Sequence, residues 1–545
     1  MAPRALRVQQ DRGDQGAVGK PWLVLALALG PVFIGALDLT VVSAVLPAVL
    51  VDLRIELQSG LDDASWVVSG YLLAYALGVA FGGRLSDVFG RGRVLVVALA
   101  LFFVGSWWVA VSGELPAQWV TALRRLMDAP PDHSLAALSA LSAGRVVQGV
   151  AAGALVPAAM ALAGDLFPPG RRALPLGVVA AVDTAGWVLG HLYGGLMVQR
   201  FPWQAIFWVN LPLTALALAA VWLALRRVEQ RLAPGGVDIA GAAWLALALV
   251  ALDAGLTANE TPETVGLLPS ARAPAYALPL VIAGLACGAF FLWRERRVTA
   301  PLLRTGLRAQ RGARTAAATN LLLGFCLMVG LVSVPLLINA TGARSSQEGA
   351  LASGYLLACF TIPLALAALA GGVLAARANP RAIVALGLVV ASAGFVLVSG
   401  ASVDTARRAV EWIAGEAGAA PVAALLAGLV LAGVGLGLTI APLASVVLDA
   451  AGELERGRAA ALLLVLRLVG MMTAVSTMTT YGLRRVSALG EDAYRAVPLE
   501  DTERVVATTR DLVARVTSEM ALIAASVCLL ALPLALLAGA KRVRG

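Results

Sequence analysis

Five ionisable residues stand inside stretches of the chain that are otherwise apolar: Asp38, Arg145, Asp183, His191 and Arg467. A charged carboxylate is costly inside a hydrocarbon layer, so it must pair with a cation, face water or bind a proton. Arginine keeps its proton and therefore needs an anionic partner. An acid and an arginine that pair in one conformation and separate on protonation would couple protons to a conformational change. The two acids and the two arginines are therefore predicted to form a proton-coupling site.

Two acids, Asp38 and Asp183, are candidate partners for Arg467, and the sequence does not decide between them. The ion pair between Arg467 and its acid either forms and breaks during a conformational cycle or simply holds two parts of the molecule together. Arg145 is expected to be a fixed charge beside the proton site, because its place in the outer half of its span does not suit a cytoplasmic anchor. His191 is either a proton relay or a histidine that donates a hydrogen bond to a neighbouring carbonyl.

The elements that position these residues are long apolar runs. Apolar residues make up 59% of the 545 residues, charged residues only 14%, and the mean hydropathy is +0.84. This composition is typical of an integral membrane protein. Unbroken runs of about 20 residues predict helices that cross a bilayer, not barrel strands. Fourteen spans are predicted, at 22–46, 64–83, 94–113, 136–162, 174–198, 204–225, 238–257, 275–293, 315–339, 349–376, 382–401, 420–447, 459–481 and 518–540.

The net charge of +9 is distributed as in a membrane protein rather than a nucleic-acid-binding protein. When both termini are placed in the cytoplasm, most of the Lys and Arg residues fall in cytoplasmic segments, as the positive-inside rule requires. We therefore predict a multi-pass protein of a bacterial plasma (inner) membrane with cytoplasmic N- and C-termini. Anionic lipid headgroups are the natural partner of this charge.

A degenerate internal repeat indicates two related halves. The segment 82–96, "GGRLSDVFGRGRVLV", aligns on its glycine pair with 371–385, "GGVLAARANPRAIVA", at a separation of 289 residues. Transporters built from two related halves place their site at the interface of the halves. The predicted fold is all-α: a cytosolic tail (1–20), two six-helix bundles (21–227 and 313–541), and between them a linker of two inserted helices (228–312).

An outer extension, residues 482–517, precedes the last span. Asp501 or Thr502 can cap a helix, and apolar residues then recur with helical spacing into the last span. A helix from about 502 to 540 would be ~58 Å long at ~1.5 Å per residue, about twice the thickness of the hydrocarbon layer. The alternative is a short surface helix followed by an ordinary span.

Glycines mark close helix packing in the fifth span. Gly186, Gly190 and Gly194 recur every four residues on one face, with Gly195 beside them. Small residues at this spacing let two membrane helices approach closely. Packing is the expected role of all four.

Four motifs resemble those of the major facilitator superfamily. They are "GGRLSDVFGRGR" (82–93) after the second span, "RVVQGVAAGALVP" (145–157) in the fourth, "GWVLGHLYGG" (186–195) in the fifth and "ALDLTVVSAVLP" (36–47) in the first. The last of these resembles the 14-helix drug–proton antiporters of that superfamily. The resemblance implies a conformational latch after the second span, formed by Gly83, Asp87, Gly90, Arg91 and Arg93. His191 stands where the family usually has proline.

A narrower set of segments, including "AVDTAGWVLGHLYGG" (181–195) and "LRLVGMMTA" (466–474), is similar to mycobacterial triacylglycerol exporters. These exporters work beside a lipid-carrying lipoprotein. The resemblance implies a proton-coupled exporter of lipidic or amphiphilic molecules, with protons, membrane lipids and a periplasmic or surface lipoprotein as partners, acting as a monomer. The alternative is a proton-coupled multidrug efflux antiporter, which shares the broader motifs.

Several other functions are disfavoured. The only lysines are Lys20 and Lys541, so no phosphate-binding loop is present and ATP is not expected to drive the chain directly. Two distant histidines and four scattered cysteines do not suggest a metal site. No nucleophile stands with a base, so we expect no enzyme activity and no cofactor. A non-transporting membrane scaffold or sensor is the remaining, less favoured class.

Overall fold

The computed structural model describes residues 20–53, 61–126, 132–226, 232–257, 275–303, 311–340, 346–413, 415, 418, 420–495 and 502–537. Within these ranges the chain is helical, and no strand is found among them. The α-helices of the described residues are α1 Pro21–Asp52, α2 Leu61–Phe89, α3 Arg91–Ala110, α4 Leu115–Leu126, α5 His133–Leu166, α6 Ala173–Val198, α7 Gln204–Leu225, α8 Ile239–Thr257, α9 Ala277–Glu295, α10 Arg311–Ala340, α11 Ser346–Arg377, α12 Pro380–Ser399, α13 Val403–Ile413, α14 Ala423–Ala450, α15 Arg456–Arg495 and α16 Thr502–Leu537.

Every predicted span coincides with one of these helices. Twelve of the described helices are long and apolar enough to cross a membrane, and shorter apolar stretches lie in α6 (Ala173–Trp187) and α8 (Ile239–Gly255). The two additional helices, α4 and α13, are short and were not predicted. They lie in corresponding places, between α3 and α5 and between α12 and α14.

The helices repeat one packing pattern in two halves. In the first half α1 packs on α6, α2 on α5, and α3 on both α5 and α7. In the second half the same pattern recurs: α10 packs on α15, α11 on α14, and α12 on both α14 and α16. Glycines permit the closest approaches. A Cβ on Gly153 would lie 2.1 Å from the Tyr75 carbonyl oxygen, and one on Gly437, 284 residues later, 2.2 Å from that of Leu364. The halves meet chiefly through α6 with α11 and α2 with α15.

Helices α8 and α9 pack on each other beside the two halves. Asp238, just before α8, accepts hydrogen bonds from Arg294 of α9 at 2.8 and 3.0 Å. The segment before α8 is fastened to α2, because Arg84 donates to the carbonyl oxygens of Pro234 and Gly236, each at 3.1 Å. The domain boundaries given above remain a prediction.

The long helix predicted near the end of the chain is present as α16, whose 36 residues make it ~54 Å long. Helix α15 is longer still, with 40 residues, although its last part was expected to belong to an outer loop. The two extensions are joined by Glu519, which accepts hydrogen bonds from Tyr481 at 2.8 Å and Arg485 at 3.0 Å. The hydrogen bond to Glu519 raises the pKa of the Tyr481 hydroxyl. Residues 538–540 lie outside the described residues.

Candidate functional site

Asp38 pairs with Arg145 inside the first half. Arg145 Nη1 donates to the Asp38 carboxylate, and Nη2 donates to the Asp38 carbonyl oxygen at 3.1 Å. Asn210 Nδ2 donates to the other carboxylate oxygen at 3.0 Å. All three side chains are buried. Of the two acids considered for Arg467, Asp38 is therefore committed to another arginine in this conformation.

A polar cage surrounds this pair. Arg145 Nη1 donates to Gln148 Oε1, and Gln148 Nε2 donates to Ser106 Oγ, each at 2.9 Å. The Tyr71 ring lies 3.9 Å from the centre of the Arg145 guanidinium, within the range of a cation–π contact. A buried ion pair is stable only when such additional contacts satisfy it. The cage therefore holds the Arg145 side chain in place, although its Nε has no hydrogen-bond partner among the described residues.

Asp183 of the first half and Arg467 of the second half face each other but do not form an ion pair. Asp183 lies in α6 and Arg467 in α15, and their charges influence each other. They form no ion pair within 4.0 Å in the described part of the chain, and neither Asp183 Oδ1 nor Arg467 Nε has a hydrogen-bond partner there. Tyr75 of α2 lies within electrostatic reach of both. The acid and the arginine are therefore close enough for their charges to interact, but they are not paired in this conformation.

Asn320 of α10 is the hydrogen-bond partner of Arg467 in the described residues. Its Oδ1 accepts a hydrogen bond from Arg467 Nη2 at 3.2 Å, and its Nδ2 donates to the Leu463 carbonyl oxygen at 2.5 Å. Nearby, a Cβ on Gly324 would lie 2.1 Å from the Arg467 carbonyl oxygen, so α10 and α15 are in close contact here. Sequence reasoning missed Asn320, Asn210, Ser106 and Tyr71. The signal available was an uncharged polar residue inside an apolar span.

The glycines of α6 pack against α1. A Cβ on Gly186 would lie 2.6 Å from Ala36 Cβ, and one on Gly190 2.4 Å from the Leu37 carbonyl oxygen. Gly194 is buried. Gly195 differs from them, because a Cβ there would meet nothing within 4 Å, so the expected packing role does not extend to it. His191 lies in α6, but its side chain is outside the described part of the structure.

The C-terminal end of α2 is bound to the start of α15. Asp87 accepts hydrogen bonds from the backbone N–H groups of Gly457 at 2.9 Å and Arg458 at 3.0 Å. A carboxylate at this place satisfies free donors of a helix N-terminus and complements its dipole. Arg91 forms an ion pair with Asp87 at 2.8 Å.

The remaining residues of the predicted latch behave differently from one another. A Cβ on Gly83 would lie 2.5 Å from the Gly457 carbonyl oxygen, so only glycine fits where α2 meets α15. Gly90 has a φ of 96°, a backbone conformation that favours glycine and that turns the chain from α2 into α3. Arg93 is exposed, and no hydrogen bond or ion pair joins it to α15 in the described part of the chain.

Two further ion pairs cross between the halves on the same side as Asp87. Arg456 pairs with Asp165 at 2.6 Å, and Arg172 pairs with Asp449 at 2.8 Å. The two acids are 284 residues apart, and so are the two arginines, so the pairs are equivalent in the internal repeat. Burial and the neighbouring Arg456 lower the pKa of Arg172, while Asp449 raises it. The halves are thus tied together on the side that the charge distribution predicts to be cytoplasmic.

Comparisons with known proteins agree with this architecture. The family model described as Major Facilitator Superfamily matches residues 32–475. A protein named triacylglyceride transporter from Mycolicibacterium smegmatis is 35% identical over 521 residues, which cover 94% of this chain and 86% of the relative. The triacylglyceride transporter of Mycobacterium tuberculosis is 33% identical over 518 residues, which cover 94% of this chain and 93% of the relative.

Solved structures share the fold at low sequence identity. The human organic anion transporter MFSD10 has a TM-score of 0.56 and 16% identity, with 93% of this chain and 99% of that chain covered. The proton:xylose symporter XylE has a TM-score of 0.54 and 13% identity, with 94% and 95% covered. The chain belongs to the major facilitator superfamily of membrane transporters.

Proposed function

We propose that this transporter is a proton-coupled exporter that moves lipidic or amphiphilic molecules, such as triacylglycerols, out of the inner leaflet or the cytoplasm by alternating access. The observation that carries the proposal is the facing, unpaired arrangement of Asp183 and Arg467 at the junction of the halves. An acid and an arginine in this arrangement have two states available, one separated and one paired.

In the proposed cycle, the described conformation is the one closed on the cytoplasmic side. Asp87 and the two ion pairs between the halves hold that side together. Opening it rocks the halves and lets Arg467 leave Asn320 for the Asp183 carboxylate. Protonation of Asp183 then abolishes the pair and allows the return. Asp38 is a second proton acceptor, and in this conformation it is paired with the fixed charge of Arg145.

The lipidic substrate is supported by the names of relatives that align over nearly the whole chain. In the proposed topology, α15 and α16 project on the outer side, where a periplasmic or surface lipoprotein would receive lipid from a monomeric exporter. The projection is held together by Glu519.

A transport assay in proteoliposomes tests the proposal. Vesicles containing a triacylglycerol with a fluorescent acyl chain are given an imposed pH gradient, and loss of the probe to acceptor vesicles is followed. We expect the gradient to accelerate transfer by the unmodified protein and not by Asp183→Asn. Thr184→Val is the matched control, since Thr184 is buried beside Asp183 and donates only to Ala180 of its own helix in the described residues.

The same vesicles distinguish the alternative substrate class. Gradient-driven movement of ethidium without movement of the triacylglycerol would replace the lipid exporter with a multidrug antiporter. A rate of lipid transfer that changes neither with the pH gradient nor with Asp183→Asn would overturn the proton-coupling part of the proposal.

A further inference from the structure

Helix α4 carries an apolar stripe that no part of the described protein covers. Leu115, Trp119, Leu123 and Leu126 are large side chains with exposed fractions from 51% to 84%. At about 100° per residue they fall within an arc of ~80° on one side of the helix. Four large apolar residues grouped in this way are not the scattered exposure that is normal on a protein surface.

The other two sides of α4 are different in character. Pro116 and Ala117 are buried where the helix packs on α5, on the side of the helix next to the apolar stripe. Gln118 and Arg125 are exposed and lie together on the remaining side of the helix. The helix therefore has one face for the protein, one apolar face and one polar face. This division suits a helix that lies flat at a boundary between hydrocarbon and water.

The apolar stripe continues a surface that already faces lipid. On α3, Val97, Leu101 and Val104 are exposed at helical spacing along a predicted membrane span. The ring centroids of Trp108 at the end of α3 and Trp119 of α4 are 5.7 Å apart. Tryptophan is enriched where a membrane protein passes from hydrocarbon to headgroups. The stripe of α4 thus begins where the lipid-facing surface of α3 ends.

Helix α13, the counterpart of α4 in the second half, provides a contrast. It is also amphipathic, but its apolar residues, among them Val410, Trp412 and Ile413, are half-buried and pack against the protein core. The second half therefore covers its own short helix with protein. The exposed stripe of α4 is a feature of the first half alone among the described residues.

We propose that α4 is an interfacial helix that binds the lipids of the leaflet opposite to Asp87, the predicted outer leaflet. Leu115, Trp119 and Leu123 insert among acyl chains, and Arg125 meets lipid phosphates at the water side. Arginine near a membrane surface is attracted to anionic headgroups. The site takes phospholipids of the surrounding bilayer, and it is separate from the proposed path of the exported molecule.

Nitroxide labels on two faces of α4 test this proposal. Leu123→Cys and Gln118→Cys are each made after the four native cysteines are replaced, and each is labelled in vesicles of phosphatidylethanolamine and phosphatidylglycerol. The collision rates of each label with oxygen, which partitions into hydrocarbon, and with a water-soluble nickel chelate are measured. We expect the oxygen-to-nickel ratio to be several-fold higher at residue 123 than at residue 118.

Two results would overturn the proposal. Equal and high nickel accessibility at both positions would place the apolar face in water. A label at residue 123 that is immobilised and shielded from both reagents, and becomes mobile when the protein is diluted with lipid, would show that a second copy covers the stripe. A label at residue 410 on α13, shielded from both reagents in either case, serves as the control for a face covered by the protein itself.

Discussion

Asp183 and Arg467 occupy equivalent positions in the two halves of the molecule, 284 residues apart, and face each other without an ion pair. The same separation relates Gly186, which packs on α1, to Gly470, which packs on α10. Two sites that are equivalent in the internal repeat therefore lie within electrostatic reach of each other. Opposite charges at the two sites make the junction of the halves a natural position for a switch.

Exchanging the two charges tests whether this pair switches. Asp183→Arg and Arg467→Asp should each reduce gradient-driven transport at least about tenfold, which corresponds to ~1.4 kcal/mol in activation free energy. The double variant should recover part of the activity, because the two positions are equivalent and opposite charges again face each other. Initial transfer rates in proteoliposomes give the measurement. A double variant no better than either single one would mean that no pairing occurs in the cycle.

Asn320 is predicted to set how readily Arg467 becomes available to Asp183. Asn320→Leu removes both hydrogen bonds of the amide, to Arg467 and to the Leu463 carbonyl oxygen. We expect the pH profile of transport to move, because a released Arg467 favours the ionised form of Asp183. Asn320→Asp should reduce transport more strongly, since a new carboxylate beside Arg467 competes with Asp183.

Thr319→Val is the control for Asn320, because the Thr319 hydroxyl donates only to Thr315 of its own helix in the described residues. A purely structural role of Asn320 would lower the amount of folded protein and leave the pH profile of the remaining activity unchanged. An unchanged profile for Asn320→Leu therefore contradicts the positioning role.

Asp38 is predicted to be essential for stability as long as Arg145 is present. Removing one partner of a buried ion pair leaves an uncompensated charge, at a cost of about 3–5 kcal/mol. Asp38→Ala should therefore lower the thermal unfolding temperature in detergent markedly, whereas Asp38→Ala with Arg145→Met should restore part of it. Unfolding followed by tryptophan fluorescence measures both. Additive losses in the double variant would mean that the two residues stabilise the protein independently.

The sequence predicts the architecture better than it predicts the partners. Long apolar runs determine the helices, and the periodicity after Thr502 correctly predicts α16. Charges inside those runs mark Asp38, Arg145, Asp183 and Arg467, because few other charges lie there. The pairing of Asp38 with Arg145 was not predicted, since these residues are 107 positions apart and nothing local favours Arg145 over Arg467.

Neutral polar residues account for most of the other differences. Asn320 and Asn210 hold the two arginine–acid sites in place, but a single amide leaves the hydrophobic pattern of its helix almost unchanged. The sequence predicts an outer loop after residue 481, whereas α15 continues to Arg495. In the structure this segment packs against α16, and Tyr481 and Arg485 donate hydrogen bonds to Glu519 of that helix.

The attachment of α15 to α2 is predicted to keep the cytoplasmic side closed. A Cβ on Gly83 would lie 2.4 Å from Ala461 Cβ, and Ala461 is fully buried. Ala461→Cys in a protein without native cysteines should react slowly with a maleimide that cannot cross membranes. Adding Asp87→Asn should increase that reaction several-fold, because the neutral amide no longer complements the helix terminus of α15. Arg93→Gln, an exposed change in the same motif, is the control and should leave the rate unchanged.

The pair of Asp238 and Arg294 should stabilise the protein equally at every pH at which transport is measured. Burial raises the pKa of Asp238, but hydrogen bonds from Arg294 and from the Gly241 N–H outweigh burial and hold it below its usual 3.8. A carboxylate whose pKa is lowered by folding contributes stability above its unfolded pKa and loses it only as the pH falls through the folded value. Asp238→Asn should therefore lower the thermal unfolding temperature by the same amount at pH values of about 5.5 and 7.5. A decrease confined to the higher pH would show that Asp238 titrates near neutrality. If the decrease is the same at both pH values, the attachment of α8 to α9 is not the cause of any change in transport rate between them.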